Sequence, residues 1–515
     1  MTPGLYDAYY LPPGVAGDGE TTVQRFGPPH DAIELCLPVV TPTAIAYWAR
    51  SIAAARREYL LRRPAAQIHR ALERVAERFL DPKSPARENA IAWLARSGRF
   101  SAPMVERAID DTFRPLARGG VTRWVNAELG SAATLDRPTP DRRGVARRAT
   151  SPEWVFQIYA GNVPGLPVWP LFSALAMKSA VLAKTSSQEP LLAPLLARTI
   201  AQEDETLGAC IAVAWWKGGT DELDRAALRL APAVLAFGGE SAIAAVARAA
   251  RPDAIMVVHG PKVSVAYVAR EALTRAGLKG AASRAALDVA LYDQQGCLSP
   301  HAFYVERGGE VGPGAFAAAL GGALEELRGD IPRGEPGAQA AARIQLYRAQ
   351  ARFDEATGTR GTHVLGASEG TDWTVVYEEG ARFEPSPAYR TVRVHSVSGV
   401  EEAIGTLAPA TRHIEAVGLE ARGARRPRLA AALAAIGVPR IAPLGSLQAP
   451  TPAGTHGGVH RILQFLRWTT VERMAAKASV RAPAKASTKA PARASASRSS
   501  APRPRRSKRG RPRSK

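Results

Sequence analysis

One cysteine, Cys297, lies in the segment DQQGCLSPH (residues 293–301), where its thiol could act as a nucleophile. The Gln and Gly residues before it predict a turn between a helix and a strand, and a thiol at such a turn can face a cleft. The other two cysteines, Cys36 and Cys210, are interpreted as small buried hydrophobic residues. Because no pair has CxxC spacing, the sequence excludes a disulfide framework and a thiolate zinc site, and it favours a reducing compartment.

A second chemical feature is the segment AGNVPGLP (residues 160–167), which follows an apolar run and leads into a predicted helix. The side-chain amide of Asn162, held between Gly and Pro residues, can donate a hydrogen bond to the oxyanion formed when a thiolate attacks a carbonyl. One such donor contributes about 2.7–4 kcal/mol in the transition state. The alternative is that Asn162 only caps the following helix.

The elements that must position Cys297 and Asn162 follow from the distribution of apolar residues. Short apolar runs alternate with helical segments from Trp154 to about Val305. This alternation predicts βαβ units in a mainly parallel sheet, which binds ligands at the carboxyl ends of its strands. The apolar runs in this region are residues 155–159, 180–184, 210–216, 234–237 and 254–258, and the predicted helices among them are residues 171–178, 188–201 and 241–249. Residues 302–306 and 372–377 are further predicted strands.

The part of the chain before residue 150 has a different pattern. Apolar side chains recur at helical spacing over residues 44–118, and an arginine-rich polar loop is predicted over residues 134–151. The uncharged stretch 154–177 is interrupted by Gly and Pro residues, so we interpret it as a buried loop and helix rather than a membrane span. The N-terminus lacks the pattern of a secretory signal, and a cytoplasmic location is predicted.

The net charge of +21 on 515 residues is concentrated at the C-terminus, because the segment from Lys477 to Lys515 carries 14 Lys and Arg residues and no acidic residue. Its Ala/Ser/Pro/Lys/Arg composition predicts disorder from about residue 475. The end of this tail matches the AT-hook, which places arginines in the minor groove of A·T-rich DNA. The predicted DNA-contacting residues are Arg509, Gly510, Arg511, Pro512 and Arg513. The alternative is a solubilising tail without a nucleic-acid partner.

Taken in order, these segments resemble the aldehyde dehydrogenase superfamily, and more closely its acyl-CoA reductase branch of the LuxC type, over roughly residues 40–472. The resemblance is carried by residues 160–167, KSAVLAKTSSQEP (178–190), DQQGCLSPH (293–301) and FEPSPAYR (383–390), with a weaker block at 440–458 and Trp468. It implies an aldehyde-dehydrogenase-like α/β fold with a Rossmann-type cofactor domain and an α/β catalytic domain.

The resemblance implies that Cys297 accepts the acyl group and that Asn162 donates to the oxyanion. Val258 stands where aldehyde-oxidising relatives carry the Glu that activates water, so hydrolysis of the acyl-enzyme should be slow. His259 could replace that base, although a hydrogen-bonded structural role is the alternative for this residue. The segment His456-Gly457-Gly458 replaces the His-Asp-Gly of the branch, which leaves the role of the missing acid open.

The same resemblance assigns a nicotinamide cofactor site. Lys184 is similar to the lysine that holds the adenosine ribose, and Gly238 and Gly239 are similar to the cofactor-contacting turn at a helix N-terminus. Ser187 occupies the position of a Glu that binds the ribose hydroxyls in NAD-preferring relatives. Because Ser187 would not repel a 2′-phosphate, NADPH is the predicted cofactor, and no metal is required.

The predicted function is the NADPH-dependent reduction of a long-chain fatty acyl-CoA to the aldehyde through an acyl thioester on Cys297. The alternatives are a short-chain CoA-acylating aldehyde dehydrogenase and, in another class, a DNA-associated protein with a catalytically silent dehydrogenase fold. The expected partners are an acyl-CoA or acyl-carrier substrate, an acyl-protein synthetase, DNA or another polyanion through the tail, and further copies of the chain in a homo-oligomer.

The predicted organisation has five parts. They are a mainly helical N-terminal region, a cofactor-binding domain, a catalytic domain, a return segment that packs on the core, and the basic tail, over residues 1–150, 151–290, 291–430, 431–474 and 475–515 respectively.

Overall fold

Two large, mainly parallel sheets dominate the fold and carry the segments singled out above. The computed structural model describes residues 5–15, 20–26, 32–96, 99–141, 144–219 and 221–472. The basic tail from residue 475, including the predicted DNA contacts at residues 509–513, lies outside the described residues.

The described strands are β1 (Leu5–Asp7), β2 (Thr21–Phe26), β3 (Ile33–Pro38), β4 (Thr139–Pro140), β5 (Ala146–Thr150), β6 (Trp154–Ile158), β7 (Ala180–Lys184), β8 (Ile211–Ala214), β9 (Ala233–Phe237), β10 (Ile255–His259), β11 (Val263–Val268), β12 (Pro300–Glu306), β13 (His363–Gly366), β14 (Thr374–Glu379), β15 (Thr391–Val397), β16 (Ile414–Glu420), β17 (Ile441–Pro443) and β18 (Arg467–Val471).

The described α-helices are α1 (Pro42–Ala55), α2 (Ala65–Leu80), α3 (Pro85–Arg96), α4 (Ala102–Phe113), α5 (Gly120–Leu129), α6 (Val168–Ala176), α7 (Leu192–Glu203), α8 (Glu205–Gly208), α9 (Asp221–Leu230), α10 (Glu240–Ala249), α11 (Arg275–Ala290), α12 (Pro313–Asp330), α13 (Ala338–Ala356), α14 (Val400–Leu407) and α15 (Arg425–Ala435).

The first large sheet has five parallel strands in the order β10-β9-β6-β7-β8. Every residue of β7 and β8 is buried, as expected for strands covered by helices on both faces. The chain leaves β6 toward β7 and later returns to the other side of β6 as β9. This reversal places a ligand-binding crevice at the carboxyl ends of β6 and β9.

The second large sheet has seven strands in the order β13-β14-β15-β12-β11-β16-β17, all parallel except for β13. The amino end of β16 and the segment just before β12 lie near the carboxyl ends of β9 and β10, because residues from all four places line one cavity. The change from the first sheet to the second falls between His259 and Val263. The predicted domain limits at residues 290 and 430 are not marked by a change of sheet.

The N-terminal part contains the predicted helices, α1–α5, together with strands that the helical pattern did not indicate. Strands β1, β2 and β3 form a three-stranded sheet in the order β1-β3-β2. The prediction of a loop over residues 134–151 is wrong at its C-terminal end, where β5 pairs antiparallel with β18. Backbone pairing with the distant segment Arg467–Val471 makes this arginine-rich segment a strand, whereas its side chains are mostly exposed.

The uncharged stretch 154–177 forms β6, a turn and α6, all inside the protein. Stacked Phe79 and Phe113, with ring centroids 4.3 Å apart, join α2 to α4, and Phe113 also contacts Phe172 of α6 edge to face. The described part of the chain has no helix that is both long and apolar enough to cross a membrane.

Candidate active site

The segment before Cys297 turns the chain sharply from α11 into β12. Tyr292, Asp293 and Gln294 have φ angles of +58°, +48° and +63°. Residues other than Gly rarely adopt this left-handed conformation, and three in succession persist only when neighbouring groups hold them. The turn lies between a helix and a strand, as predicted, and Cys297 is partly exposed at its end.

A buried ion pair holds this turn. Asp293 and Arg390 lie 2.9 Å apart, and neither side chain is exposed to solvent. Asp293 also accepts hydrogen bonds from the backbone N–H of Gly334 (2.9 Å, to Oδ2) and of Tyr389 (2.8 Å, to its carbonyl oxygen). The segments DQQGCLSPH and FEPSPAYR, distant in the sequence, are therefore locked together beside Cys297.

The Cys297 thiol is surrounded by both apolar and ionisable groups. Its Sγ atom is 3.9 Å from Nε2 of His456, and its carbonyl oxygen accepts a hydrogen bond from Ser264 Oγ (2.9 Å). Burial raises the pKa of Cys297 to about 12, and the negative charge of Glu415 acts in the same direction. The resting thiol is therefore protonated at pH 7, and it could act as a nucleophile only if a base removed its proton.

His259 and His456 are stacked with ring centroids 4.1 Å apart, and Phe237 stacks on His259 at 4.8 Å. Burial lowers the pKa of His259 to about 4 and that of His456 well below 6.5, with nearby positive charges adding to both shifts. Both rings are neutral at pH 7. The His259 ring has no hydrogen bond to another described residue, so the structure shows no bond that would support the hydrogen-bonded structural role considered for His259. Val258 is 42% exposed and does not line the cavity.

Glu415, at the start of β16, was not identified from the sequence. Its side chain is 2% exposed, and Oε1 accepts a hydrogen bond from the Gly457 N–H (2.7 Å). Oε2 is 3.8 Å from Lys262 Nζ. The only sequence signal was a charged residue within the apolar run IEAVGL. Glu415 thus contacts Gly457, the position at which the sequence resemblance predicts an acid.

Asn162 lies beside the Cys297 turn, and its Nδ2 donates to the Gln295 carbonyl oxygen at 2.9 Å. Helix α6 begins after Pro167 without a side-chain cap, so Asn162 does not cap it. The structure thus brings Asn162 to the turn before Cys297, with its side-chain amide hydrogen-bonded to that turn. Its role as the oxyanion donor remains a prediction.

The thiol faces a cavity of about 160 Å³. Its size is similar to the roughly 150 Å³ cavity that accommodates benzene in another protein. The polar groups that line it include Cys297, Glu415, His259 and His456. The apolar lining residues include Val163, Leu166, Trp169, Leu235, Phe237, Leu298, Pro450 and Phe465. A reactive carbonyl group can therefore meet the thiol in a largely apolar space.

A second cavity of about 640 Å³ lies at the carboxyl ends of β6 and β7 and is lined by Lys184 and Ser187. Lys184 Nζ is 2.6 Å from Asp224 Oδ1, which also accepts a hydrogen bond from Trp216 Nε1 (2.8 Å). Gly239, which follows Gly238, is the N-cap of α10, whose first turn contributes Ser241 to the cavity.

The chemistry of this second cavity fits a nucleotide. Three cationic side chains, Lys184, Arg225 and Arg248, line it together with the carboxylate of Asp224. The hydroxyl of Thr185 is buried there without a hydrogen-bond partner among the described residues. Among the same residues, no group of three His, Cys, Asp or Glu side chains could hold a metal ion.

Solved aldehyde dehydrogenases have the same fold. Aldehyde dehydrogenase 21 from Physcomitrella patens superimposes with a TM-score of 0.69 at 15% identity, covering 92% of this chain and 98% of that one. An NAD-dependent benzaldehyde dehydrogenase from Corynebacterium glutamicum gives 0.65 at 15% identity, covering 88% and 95%. The predicted aldehyde-dehydrogenase-like α/β fold is therefore confirmed.

Among proteins with an aldehyde-dehydrogenase-like fold, the family described as acyl-CoA reductase (LuxC) matches residues 62–468 of this chain. The chain belongs to this family, as the sequence resemblance predicted. A similar protein is the long-chain acyl-protein thioester reductase of Aliivibrio fischeri, which is 27% identical over 354 residues, covering 68% of this chain and 70% of that protein.

Proposed function

We propose that the protein reduces an acyl thioester to the aldehyde with a nicotinamide cofactor, through an acyl group carried on Cys297. The observation that carries this proposal is the position of the Cys297 thiol in an apolar cavity, in a chain that also forms a nucleotide-sized cavity at Lys184. Membership of the acyl-CoA reductase family and the activity named for the Aliivibrio fischeri relative support it.

In the first half-reaction, the Cys297 sulfur bonds to the acyl carbon, and the bond from that carbon to the leaving thiol breaks. The proton of Cys297 ends on the leaving thiol. Because one thioester replaces another, nothing is oxidised or reduced in this step. The rigid turn at residues 292–294 holds the sulfur at the cavity wall during this exchange. Asn162 is the proposed side-chain donor to the oxyanion, which requires its amide to turn away from Gln295.

The second half-reaction needs hydride at the acyl carbon, which a nicotinamide cofactor would supply when held at the cavity lined by Lys184 and Ser187. The bond from the acyl carbon to Cys297 then breaks, the aldehyde leaves, and the sulfur regains a proton. Hydrolysis competes with this step only if a group activates water. The exposed side chain of Val258 cannot do so, and the low pKa of His259 makes it a weak base.

NADPH is the proposed cofactor, because Ser187, Arg225 and Arg248 line the second cavity where a 2′-phosphate would bring negative charge. Ser187→Glu is expected to weaken NADPH binding about 10–100-fold and to leave NADH binding nearly unchanged, since a charge-assisted contact contributes about 1.5–3 kcal/mol. Quenching of Trp216 fluorescence measures both affinities. Arg229→Ala, which removes a charge from α9 outside the cavity, is the matched control.

The acyl donor is proposed to be a long-chain acyl-CoA or an acyl-carrier protein thioester. The cavity beside Cys297 holds the thioester and the first few carbons, so a long chain must extend through its opening. The same small volume favours the second candidate, a short-chain CoA-acylating aldehyde dehydrogenase.

The test is NADPH consumption by the purified protein with acyl-CoA substrates of increasing chain length, beside Cys297→Ala. Turnover that rises with chain length and disappears in Cys297→Ala would support the long-chain reductase. Turnover with short chains alone would support the second candidate. The absence of acyl-dependent turnover with CoA and carrier-protein thioesters would contradict both.

A further inference from the structure

The carboxyl group of Glu415 has an unusual position for a buried acid. It lines the same cavity as Cys297, and its side chain is 2% exposed. Oε1 accepts a hydrogen bond from the Gly457 N–H, whereas Oε2 accepts none from any described residue. The cation Lys262 Nζ is 3.8 Å from Oε2, too far for a hydrogen bond. A buried carboxylate oxygen without a hydrogen bond is costly, and groups with perturbed pKa values concentrate at catalytic sites.

Two other groups at the cavity could accept the proton of Cys297, but both are poorly suited. The His456 ring is the nearest, yet it is stacked on His259 and faces the positive charges of the cavity wall, which oppose an imidazolium. Asp111 is already paired with Arg107 at 2.8 Å. Glu415 is the remaining acid that lines this cavity.

Resting on the proposed function, we infer that Glu415 is the acid–base residue of acyl transfer. Its carboxylate accepts the proton of the Cys297 thiol as the sulfur bonds to the acyl carbon. The neutral carboxyl then returns that proton to the leaving thiolate as the old carbon–sulfur bond breaks. The step exchanges one thioester for another, and no oxidant or reductant is consumed.

The charges around Glu415 are consistent with both protonation states. Burial raises the pKa of its carboxyl, whereas the Gly457 N–H and the positive charges of Lys262, Arg461 and Arg440 lower it. Because burial is the larger effect, the neutral form is accessible nearer to pH 7 than for an exposed glutamate. Proton transfer from Cys297 removes the carboxylate charge that otherwise opposes the thiolate.

The decisive variant is Glu415→Gln, which keeps the side-chain shape and removes the charge and the proton-accepting oxygen. Alkylation of Cys297 by iodoacetamide above about pH 8 should become about threefold to tenfold faster, because loss of a facing negative charge lowers the pKa of the thiol by up to about one unit. Formation of the acyl-Cys297 adduct from acyl-CoA, followed by mass spectrometry without cofactor, should become about 10²–10⁴-fold slower.

Opposite changes in these two rates are the signature of proton transfer, because a merely structural defect would slow both. Glu420→Gln removes the same charge from the far end of β16, where Glu420 pairs with Arg284, and should change neither rate. Equal acylation rates in the wild type and Glu415→Gln would overturn the inference. So would slowing of both rates, or an acyl-enzyme that forms normally and only resists hydrolysis.

A relocated carboxylate provides an independent check. A Cβ atom on Gly457 would lie 3.5 Å from both Lys262 Nζ and His259 Nδ1, which is an ordinary van der Waals distance. Asp also tolerates the φ angle of +60° better than most residues. Glu415→Gln combined with Gly457→Asp should regain at least about tenfold in acylation, whereas the combination with Gly457→Asn should not. No regain with Gly457→Asp in a folded protein would contradict the inference.

The two proposals fail in different ways. If the wild type forms no acyl-Cys297 adduct with any thioester, the proposed function is wrong and the role of Glu415 falls with it. If the wild type forms the adduct and Glu415→Gln forms it equally fast, the proposed function stands and only the role of Glu415 is overturned.

Discussion

Replacing Asp293 by Asn removes the negative charge from an ion pair whose two side chains are fully buried. Arg390 would then remain charged in the interior, because an arginine side chain does not give up its proton in proteins. Breaking a buried pair in this way costs about 3–5 kcal/mol. Arg390→Met leaves a carboxyl group instead, and a carboxyl can avoid the penalty by binding a proton.

This difference makes the second variant depend on pH. Burial already raises the pKa of Asp293, and removal of Arg390 would raise it further. A carboxyl with a raised folded-state pKa stabilises the protein fully below its unfolded value of about 3.9, and that contribution is lost as the pH rises through the folded-state value. Arg390→Met should therefore lose more stability than the wild type as the pH increases, whereas the deficit of Asp293→Asn should not grow with pH, because Asn has no proton to lose.

The thermal midpoint Tm measures both effects. The chain from Met1 to Val471 forms one compact unit, and for a unit of that size 1 kcal/mol corresponds to about 1 °C. Asp293→Asn should lower Tm by roughly 3–5 °C both at about pH 5 and at about pH 8. Arg390→Met should lower it clearly less at the lower pH. The control Asp253→Asn, in an exposed pair with Arg251, should leave Tm unchanged.

Two results would refute this reasoning. A wild-type Tm for Asp293→Asn would mean that the pair does not hold the turn before Cys297. An equal deficit for Arg390→Met at both pH values would mean that the carboxyl of Asp293 does not take up a proton in the fold.

Three further predictions concern other parts of the molecule. Gly165→Ala should lower both Tm and turnover, because its φ is +89° and a Cβ atom would lie 2.5 Å from Thr112 Oγ1; unchanged turnover would contradict this. Burial raises the pKa of Asp288 to about 7, so its ionisation destabilises the protein as the pH rises toward that value, and Asp288→Asn should reduce the fall in Tm between about pH 5 and about pH 8. A wild-type pH slope in that variant would be the contrary result. Removal of residues 475–515 should abolish salt-sensitive DNA binding in a mobility-shift assay and leave turnover intact, and retained DNA binding would show that the tail is not its source.

The large sheets were predictable because their strands are buried on both faces and appear as short apolar runs. The run at residues 180–184 coincides with β7, and the run at 302–306 lies within β12. The small sheets were not predictable in this way. In β5, pairing joins Thr150 to Arg467, and a mostly exposed, arginine-rich strand has no apolar pattern that distinguishes it from a loop.

In the candidate site too, residues in local motifs could be singled out from the sequence, whereas contacts that depend on tertiary packing could not. Cys297 and Lys184 were identifiable because their motifs are local, and each lies at the predicted end of an element. The contact between Glu415 and Gly457 was not, since it depends on how β16 and the segment after β17 pack together. The direction of the Asn162 amide toward Gln295 likewise depends on the strained turn before Cys297, which only the buried partners of Asp293 make possible.

The cavity beside Cys297 has to satisfy two opposing requirements. It must keep water away from an acyl group on the sulfur, because a carboxylate such as Glu415 could activate that water for hydrolysis. The burial that excludes water also raises the pKa of the Cys297 thiol to about 12 and lowers that of His259 to about 4, so neither group readily becomes charged. Proton exchange with Glu415 resolves the conflict, because a thiolate forms as a carboxylate is neutralised. The charge inside the cavity then stays constant during acyl transfer, and the apolar walls oppose the step far less than they oppose a new charge.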